Sequence, residues 1–442
     1  MSEEESRMAN QAMSRDGFSP GRTPQCSDAA WMPGLSLPPD LPDVLKRKTA
    51  NGGVSLGLRV LMYMFRGIRK GQMDVTLPNG ERRSFIGSEP GPHGVLNIHD
   101  SAMMRHVLTG GEVGFGDAYL EGHWDSPDLA ALLACAHINE PYYKGPYEKN
   151  PLGRLYGWWQ HKRRANDKSG ARANIEYHYD LGNEFYKMWL DDTMAYSAGM
   201  FIQPSETLKD AQLNKFKLMY ERLELKPEHH LLEIGSGWGG FAIYAAQHSG
   251  CRVTSITLSK EQLAEAQIRA QKPGVADRVS FELRDYRDVH ETYDRVVSIE
   301  MYEAVGEEYW PGYFAAISKA LKPGGKAAIQ GITIDPRVFP DYRIKRDFIQ
   351  KYIFPGGMLC PPGLFQDLAL QAGLKPENPR FFAKDYADTL AHWHRNVLAV
   401  RDKIVQQFDE RFLRLWRYYL AYCECGFRVG TVDLMQITLN KP

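Results

Sequence analysis

The chain has 442 residues, of which 43% are hydrophobic and 24% are charged, and its 54 basic side chains balance 54 acidic ones. This length and composition predict a globular protein of two domains, and a net charge of zero disfavours a globally basic nucleic-acid-binding protein. Six cysteines are too few for a disulfide framework, so we expect a reducing cytoplasmic environment and no structural metal site.

The first part of the sequence predicts a tail followed by a small domain. Residues 1–40 are rich in Ser, Glu, Pro and Gly, and they predict a disordered tail because such a composition cannot offset the entropy lost on ordering. Residues 41–165 predict a mainly helical N-terminal domain that associates with lipid. No apolar run reaches the ~18 residues of a membrane span, and the N-terminus lacks the apolar segment of a signal peptide. Contact with a membrane is therefore expected to be peripheral.

Three local patterns shape this N-terminal domain. The stretch LGLRVLMYMFRGIRKG, residues 56–71, predicts an amphipathic helix with basic residues around an apolar face. Such a helix fits an anionic membrane surface, and it equally fits a core helix with a solvated rim. The pair Asn79-Gly80 predicts a hairpin turn, and Asp125 or Ser126 predicts the N-cap of a helix that has Pro127 in its first turn.

A linker with a basic face is predicted at residues 142–172, which include HKRR at 161–164, and a catalytic domain is predicted over residues 166–442. In that domain short β-rich runs alternate with helical ones, such as HLLEIG before FAIYAAQHS and RVTSITLS before KEQLAEAQIRAQ. The alternation predicts an α/β fold with a mostly parallel sheet and helices on both faces. Ligands of such sheets bind beyond the carboxyl ends of the strands.

A glycine-rich loop joins the first of these strands to its helix. Gly235, Gly237, Gly239 and Gly240 lack a Cβ, so the loop could admit a dinucleotide, a nucleotide or an adenosyl group, or could simply be a tight turn. The second strand ends in Thr257-Leu258-Ser259, with Gln262 nearby, where NAD enzymes of the Rossmann type place an acidic residue. A dinucleotide is therefore disfavoured.

The third and fourth strands end in further polar residues. Asp285 could accept a hydrogen bond from an adenine amine, Tyr286 could cover the ring, and Arg287 follows; the fourth strand ends in Glu300 and Glu303. This order, with LKPGG before a fifth strand, resembles class I S-adenosylmethionine methyltransferases. That resemblance implies a Rossmann-like, seven-stranded, mostly parallel sheet.

Longer segments resemble one family within that class. IEYHYDLGNEFYKMWLDDTMAYSAGMF, EMYEAVGEEYW, FIQKYIFPGGMLCPP and YYLAYCECGFRVG are similar to the cyclopropane-fatty-acyl-phospholipid synthases, and the resemblance runs from about Gly114 to the C-terminus. It implies methyl transfer from S-adenosylmethionine to a cis double bond of a phospholipid acyl chain. A carbocation then loses a proton as a cyclopropane ring closes, with bound bicarbonate as the base. The resemblance also implies a homodimer.

Matching these motifs residue by residue gives a candidate site. The cofactor is expected to meet the following positions: Tyr196, Ser197, Glu233, Gly235, Gly237, Trp238, Gly239, Gly240, Thr257, Leu258, Ser259, Gln262, Asp285, Tyr286 and Arg287. Glu303 falls on the glutamate of the family's bicarbonate site and Cys423 on its late cysteine, while Tyr302 could supply a π face to a cation. Other readings stay open: Glu303 could be a charge at a helix N-terminus, Glu233 a satisfied strand-end carboxylate, and Cys423 a small buried hydrophobe.

Three positions at the expected bicarbonate site depart from the family's pattern. Ala198 stands in place of a cysteine, Gln330 in place of a histidine, and His394 in place of a tyrosine of a late helix. Gln330 can still donate a hydrogen bond, and His394 could donate or serve as a base because an unperturbed histidine titrates near neutral pH; a solvated helix face is the alternative for His394. These changes leave open a second product, a methylated alkene formed when the proton leaves a neighbouring carbon.

The leading hypothesis is a peripheral methyltransferase at the inner, anionic face of a membrane, acting on unsaturated phospholipid chains. Cyclopropane formation leads and methyl branching is the second possibility. A soluble small-molecule methyltransferase and a lipid-binding protein with a decayed catalytic site are the alternatives of other classes.

Overall fold

The computed structural model describes residues 55–143, 181–272 and 274–442. The tail predicted at 1–40, the HKRR run at 161–164 and the predicted domain boundary at 165–166 lie outside the described residues. The division into domains therefore stays a prediction.

The N-terminal part combines helices with a four-stranded sheet in the order β2-β1-β3-β4. Its elements in chain order are α1 (Leu56–Phe65), β1 (Lys70–Thr76), β2 (Arg82–Ile86), β3 (Glu89–Ile98), α2 (Met103–Leu120), β4 (Trp124–Asp125) and α3 (Leu129–Tyr143). The predicted helical content is present, and the predicted hairpin is confirmed, because β1 and β2 pair antiparallel around Gly80, which has a left-handed φ of 85°.

Two local predictions in this part are wrong in detail. The helix predicted over 56–71 ends at Phe65, because the chain turns at Gly67 and enters β1 at Lys70. The cap of α3 is neither Asp125 nor Ser126 but Asp128, whose Oδ1 accepts a hydrogen bond from the backbone N–H of Ala131 at 2.9 Å.

The catalytic part is built on a seven-stranded sheet in the order β10-β11-β9-β8-β5-β6-β7. Its strands are β5 (His230–Ile234), β6 (Arg252–Thr257), β7 (Val279–Leu283), β8 (Tyr293–Ile299), β9 (Leu321–Ile334), β10 (Lys375–Phe381) and β11 (Val432–Asn440). Strands β5 to β9 pair in parallel, while β11 runs antiparallel to both β9 and β10. The predicted fold, a mostly parallel class I methyltransferase sheet, is confirmed.

Helices connect and flank these strands. In chain order they are α4 (Asn183–Lys187), α5 (Leu208–Leu223), α6 (Gly240–Ser249), α7 (Lys260–Gln271), α8 (Trp310–Ala320), α9 (Phe339–Tyr342), α10 (Phe348–Tyr352), α11 (Pro362–Gln371), α12 (Ala383–Ala399), α13 (Arg401–Gln407) and α14 (Glu410–Arg428). The central strand β5 is buried from Leu231 to Ile234, as expected of a parallel strand covered on both faces.

The two parts of the chain share one hydrophobic core. Tyr119 and Trp124 from the N-terminal part belong to the same buried cluster as Trp416 from α14. Arg414 of α14, only 3% exposed, donates hydrogen bonds to the carbonyl oxygens of Tyr119 at 2.6 Å and Trp124 at 2.7 Å, and pairs with Asp125 at 3.0 Å. Helix α14 is thus a structural element of both parts.

Within the three described ranges, no helix is both long enough and apolar enough to cross a membrane.

Candidate active site

The glycine loop leads from β5 into α6 and has two kinds of constraint. Gly235, Gly237 and Gly239 are left-handed, with φ of 95°, 48° and 82°, which explains these glycines as turn residues. A Cβ on Gly240 would lie 2.9 Å from the carbonyl oxygen of Thr193, so packing requires that glycine. A Cβ on Gly237, by contrast, would meet no protein atom within 4 Å. The loop therefore presents open space beside a bare backbone at a helix N-terminus, which fits an adenosyl cofactor.

The aromatic residue within this loop is tied down. Trp238 is 2% exposed, and its Nε1–H donates to Oδ1 of Asn183 at 2.7 Å. Its ring packs against that of Tyr186, with centroids 4.9 Å apart. Trp238 therefore fixes the shape of the loop.

The polar residues at the end of β6 bond mainly to one another. The hydroxyl of Thr257 donates to Oε1 of Gln262 at 2.9 Å, and the hydroxyl of Ser259 accepts from the backbone N–H of Gln262 at 3.2 Å as the N-cap of α7. Leu258, between them, is half-buried. These residues shape the strand end that lies beside the glycine loop.

Asp285 at the end of β7 is engaged by its neighbour. Arg287 donates to Oδ1 of Asp285 through Nε at 2.8 Å and to Oδ2 through Nη2 at 2.6 Å. Tyr286 packs edge-on against Tyr313 with ring centroids 5.6 Å apart. All three predicted residues lie at the carboxyl end of the sheet, but the carboxylate that was expected to accept from adenine already accepts from a guanidinium.

Strand β5 carries a buried acid, and helix α5 carries a buried base. Glu233 is 3% exposed, accepts from the hydroxyl of Ser255 at 2.5 Å, and has its pKa raised to about 8 by burial. Lys215 of α5 is 1% exposed and donates to Oγ of Ser197 at 2.7 Å, and burial lowers its pKa to about 8. The charges of Glu300 and Glu233 act on Lys215, which places all three in one electrostatic environment.

Lys215 was not predicted as a site residue, although its position in the sequence carries a signal. Lys215 lies four residues after Ala211 and four before Met219, both fully buried on α5, so the lysine occupies the apolar face of an amphipathic helix. A lysine at such a position is rarely buried without a role.

Tyr196 lies in a wall of aromatic rings. Its hydroxyl shares a 2.6 Å hydrogen bond with the hydroxyl of Tyr419 from α14. Ring centroids of Tyr186, Trp189 and Trp393 lie 5.5, 5.6 and 5.3 Å from that of Tyr196. The arrangement supplies the π faces that stabilise a cation.

The carboxylate of Glu300 lies at the centre of the hydrogen-bond network. Its Oε1 accepts from the backbone N–H of Ala198 at 2.9 Å and from Nε2 of Gln330 at 2.7 Å, and its Oε2 accepts from the hydroxyl of Tyr386 at 2.6 Å. Gln330 is fully buried, and its Oε1 accepts in turn from Nε2 of Gln436 at 2.7 Å. Gln330 donates as expected, but its acceptor is a side chain of the protein.

Glu303 lies near Glu300, but a backbone group holds its side chain. It belongs to a 3₁₀ turn, Tyr302–Ala304, and its Oε1 accepts from the backbone N–H of Ile332 at 2.5 Å. Its Oε2 is buried without a hydrogen-bond partner among the described residues. Burial, and the nearby charge of Glu300, raise the pKa of Glu303 to about 8. Tyr302 is fully buried and donates to the carbonyl oxygen of Ile332 at 2.6 Å.

Gly331 makes room for this pair. A Cβ at this position would lie 2.1 Å from Cε1 of Tyr302 and 3.2 Å from Oε1 of Glu303. Position 331 of β9 must therefore be glycine for Tyr302 and Glu303 to pack where they do.

His394 and Cys423 differ in how they relate to this centre. His394 is buried, with no hydrogen-bond partner for Nε2 in the described ranges, and burial together with Arg417 lowers its pKa to about 3. The near-neutral pKa expected of His394 is therefore wrong, and the alternative of a solvated helix face is excluded by its burial. The side chain of α12 that donates a hydrogen bond to Glu300 is Tyr386, through its hydroxyl. Cys423 is half-buried, burial raises the pKa of its thiol, and it lies close enough to raise the pKa of Tyr386.

Comparison with known proteins agrees with this geometry. Residues 166–437 match the family described as mycolic acid cyclopropane synthetase. Over 360 residues the chain is 38% identical to a tuberculostearic acid methyltransferase of Mycobacterium tuberculosis, covering 78% of this chain and 83% of that protein. It is 32% identical to the cyclopropane-fatty-acyl-phospholipid synthase of Escherichia coli K12, covering 78% and 87%.

Solved structures give the same result for the catalytic part. A cyclopropane synthase from Mycobacterium tuberculosis superimposes with a TM-score of 0.58 at 29% identity, covering 61% of this chain and 98% of that one. A mycolic acid cyclopropane synthase solved with S-adenosylhomocysteine and CTAB gives the same values.

Proposed function

The chain belongs to the mycolic acid cyclopropane synthetase family of S-adenosylmethionine-dependent methyltransferases, which methylate lipid alkenes, and from this premise we propose a specific reaction. The substrate is the cis double bond of an unsaturated phospholipid acyl chain, and the main product is a cyclopropane ring. The observation that carries the proposal is the pair of carboxylates, Glu300 and Glu303, beside the aromatic wall around Tyr196.

An alkene is a weak nucleophile, so its methylation passes through a carbocation on the chain. Such a cation is stabilised by a site that excludes water and holds negative charge and π faces in place beforehand. The carboxylate of Glu300, which accepts three hydrogen bonds, supplies the negative charge, and the rings of Tyr196 and Tyr419 supply π faces. The buried surroundings strengthen these interactions because the local dielectric constant is low.

S-adenosylmethionine supplies the electrophilic methyl group when it is bound. We assign its binding to the open backbone of Gly237, to the ends of β6 and β7 at Thr257–Gln262 and Asp285–Arg287, and to Glu233 and Tyr196. Glu233 has a raised pKa and one donor, Ser255, so it can share a hydroxyl-type hydrogen bond with a ribose.

A membrane-docking face on the N-terminal part fits a lipid substrate. Helix α1 exposes Leu56 (78%) and Tyr63 (73%), and Arg59 and Arg66 are exposed between and after them at helical spacing. Ile86 of β2 is also 73% exposed. Apolar side chains interspersed with arginines suit the interface of an anionic membrane. A homodimer would present two such faces and strengthen the attachment.

Vesicle flotation tests this docking face. Charge reversal in the double variant Arg59→Glu/Arg66→Glu should abolish flotation with anionic vesicles. Reversal of Arg278, whose side chain is 48% exposed beside Asp277 in the catalytic part, serves as the matched control and should leave it unchanged. Equal flotation of both variants would contradict the assignment.

A second candidate product, a methylated alkene leading to a methyl-branched chain, is favoured by one observation. The 38%-identical relative is named a tuberculostearic acid methyltransferase, not a cyclopropane synthase. Both products arise from the same cation and differ only in the carbon that loses the proton.

Mass spectrometry of vesicle lipids tests the function. The purified protein is incubated with S-adenosylmethionine and vesicles of cis-monounsaturated phospholipid, with saturated vesicles as the control. A gain of one CH₂ on the unsaturated chains alone supports the proposal, and mild catalytic hydrogenation then separates the products, because a ring resists and an alkene takes up hydrogen. Methylation of small acceptors without vesicles, and none of the lipid, would overturn it.

A further inference from the structure

The backbone of Glu300 has a conformation that glutamate rarely adopts. Its φ of 51° lies in the left-handed region, which favours glycine. Strained residues of this kind persist where the surrounding structure holds them, and they cluster at functional sites. At residue 300 this backbone conformation positions the side chain, because the turn after β8 directs the carboxylate toward Ala198, Gln330 and Tyr386.

Three separate elements converge on this one carboxylate. The donors are the backbone N–H of Ala198 in the loop after Tyr196, the amide of Gln330 on β9, and the hydroxyl of Tyr386 on α12. Two of these positions, 198 and 330, are those where the family resemblance led us to expect a bound bicarbonate. The groups expected to hold a free anion instead hold the side chain of Glu300.

The neighbouring acid, Glu303, has fewer hydrogen-bond donors than Glu300. Burial raises the pKa of Glu300, but its three hydrogen-bond donors and the positive charge of Lys215 act against burial and favour a carboxylate. Glu303 accepts from one backbone N–H and has a bare, buried oxygen, so it is favoured as the neutral acid. When the surroundings of two adjacent acids differ in this way, one acid can accept a proton while the other stays protonated; here Glu300 is the acceptor and Glu303 the protonated acid.

We propose that Glu300 is the catalytic base, an internal group that accepts the proton lost by the methylated chain; this rests on the proposed function. The π electron pair of the double bond forms the new carbon–carbon bond as the S–CH₃ bond of S-adenosylmethionine breaks, and positive charge passes from sulfur to the chain. A C–H bond of the new methyl group then breaks, its electron pair closes the ring, and the proton moves to an Oε atom of Glu300. One proton reaches solvent per turnover, so the reaction balances without a bound anion.

Variants of Glu300 test this role. Glu300→Gln removes the base and keeps the shape of the side chain. Glu300→Gly removes the side chain from a backbone that suits glycine and opens space for a small anion. Glu224 has the same backbone conformation, with φ of 48°, but caps α5 and pairs with Lys326 at the surface, so Glu224→Gly is the matched control. S-adenosylmethionine binding is titrated first, which reports an intact fold in each variant.

Turnover on vesicles is then measured in CO₂-depleted buffer and again with bicarbonate or formate added. We expect the wild-type rate to be the same in all buffers, and Glu300→Gln to lose at least about 100-fold. Glu300→Gly should lose as much and regain turnover with added formate or bicarbonate, while Glu224→Gly should match the wild type.

Two results would overturn the proposal: slower wild-type turnover when CO₂ is removed, or Glu300→Gln within about threefold of the wild type. Absence of product from the wild type on every vesicle would overturn the proposed function itself. That failure is distinct, because the inference alone fails only when the wild type makes product.

Discussion

Replacing Lys215 with methionine should make the protein more stable and less active. Burial lowers the pKa of Lys215 from 10.5 to about 8, which corresponds to roughly 3 kcal/mol for carrying the charge inside the protein at pH 7. Methionine fills the same unbranched space, but Oγ of Ser197 loses its donor at a cost of about 1 kcal/mol. The free energy of unfolding of Lys215→Met should therefore rise by about 2 kcal/mol at pH 7.

Urea unfolding at several pH values measures this gain and its origin. The folded-state pKa lies below the unfolded one, so between about pH 8 and 10.5 the unfolded chain binds more protons than the folded protein. Wild-type stability should gain a contribution from Lys215 as pH rises through this window, and Lys215→Met should lack it. Turnover should fall by about tenfold or more, because Glu300 loses the positive charge of Lys215, which favours its carboxylate form.

An exposed lysine two residues further along provides the control. The side chain of Lys217 is 59% exposed, so Lys217→Met should change stability by no more than about 0.5 kcal/mol and leave turnover unchanged. The reasoning is refuted if Lys215→Met is no more stable than the wild type at pH 7 and follows the same pH dependence.

Further predictions concern the carboxylate pair. Gly331→Ala should cost about 3 kcal/mol in urea unfolding and lower turnover, since its Cβ would overlap the ring of Tyr302 beside Glu303. Glu303→Gln should be more stable than the wild type by up to roughly 4 kcal/mol at pH 8.5, but equally stable at pH 4.5. The reason is that burial raises the folded-state pKa of Glu303 to about 8, so the wild type loses stability as the pH rises from 4.5 to 8, whereas a glutamine does not titrate. Tyr386→Phe should lower turnover 10- to 100-fold, since about 1.5–3 kcal/mol is lost from the carboxylate of Glu300, with unchanged S-adenosylmethionine affinity by calorimetry.

Each of these has a control or a contrary result. Gly363→Ala, at a site where a Cβ meets no atom within 4 Å, should not destabilise the protein, and a Gly331→Ala protein that unfolds like the wild type would contradict the packing argument. A Glu303→Gln stability gain that is the same at both pH values would exclude titration of Glu303 as its cause. Wild-type turnover in Tyr386→Phe would remove that hydroxyl from the site.

Local sequence patterns were sufficient for the parallel strands β5 to β9 of the catalytic sheet, whereas β10 and β11 were expected only through the resemblance to a seven-stranded family. The runs of β5, β6 and β8 are apolar because these strands are buried on both faces, and each is followed by a helical stretch. The glycines between β5 and α6 reflect the left-handed backbone of the loop. The N-terminal sheet was harder to predict. Strand β3 has the sequence EPGPHGVLNI, whose prolines and glycines suppress the strand signal, and β4 has two residues, so only the hairpin was visible.

The candidate site was predictable where a motif carried it and missed where contacts cross the chain. Glu303 and Tyr196 lie in recognisable segments. Glu300 gains its role from Ala198, Gln330 and Tyr386, which are 102, 30 and 86 residues away in sequence, and local pattern carries no record of such contacts. The same limit explains why His394 was selected from α12, although it is Tyr386 on that helix that reaches Glu300.

The left-handed backbone at residue 300 has an evolutionary consequence. Glutamate codons differ from glycine codons by a single nucleotide, and the conformation at this position accommodates glycine without strain. A point mutation can therefore exchange an internal carboxylate for an empty space without refolding the turn. On the proposed mechanism, one such exchange would make turnover depend on dissolved carbon dioxide, and the reverse exchange would remove that dependence.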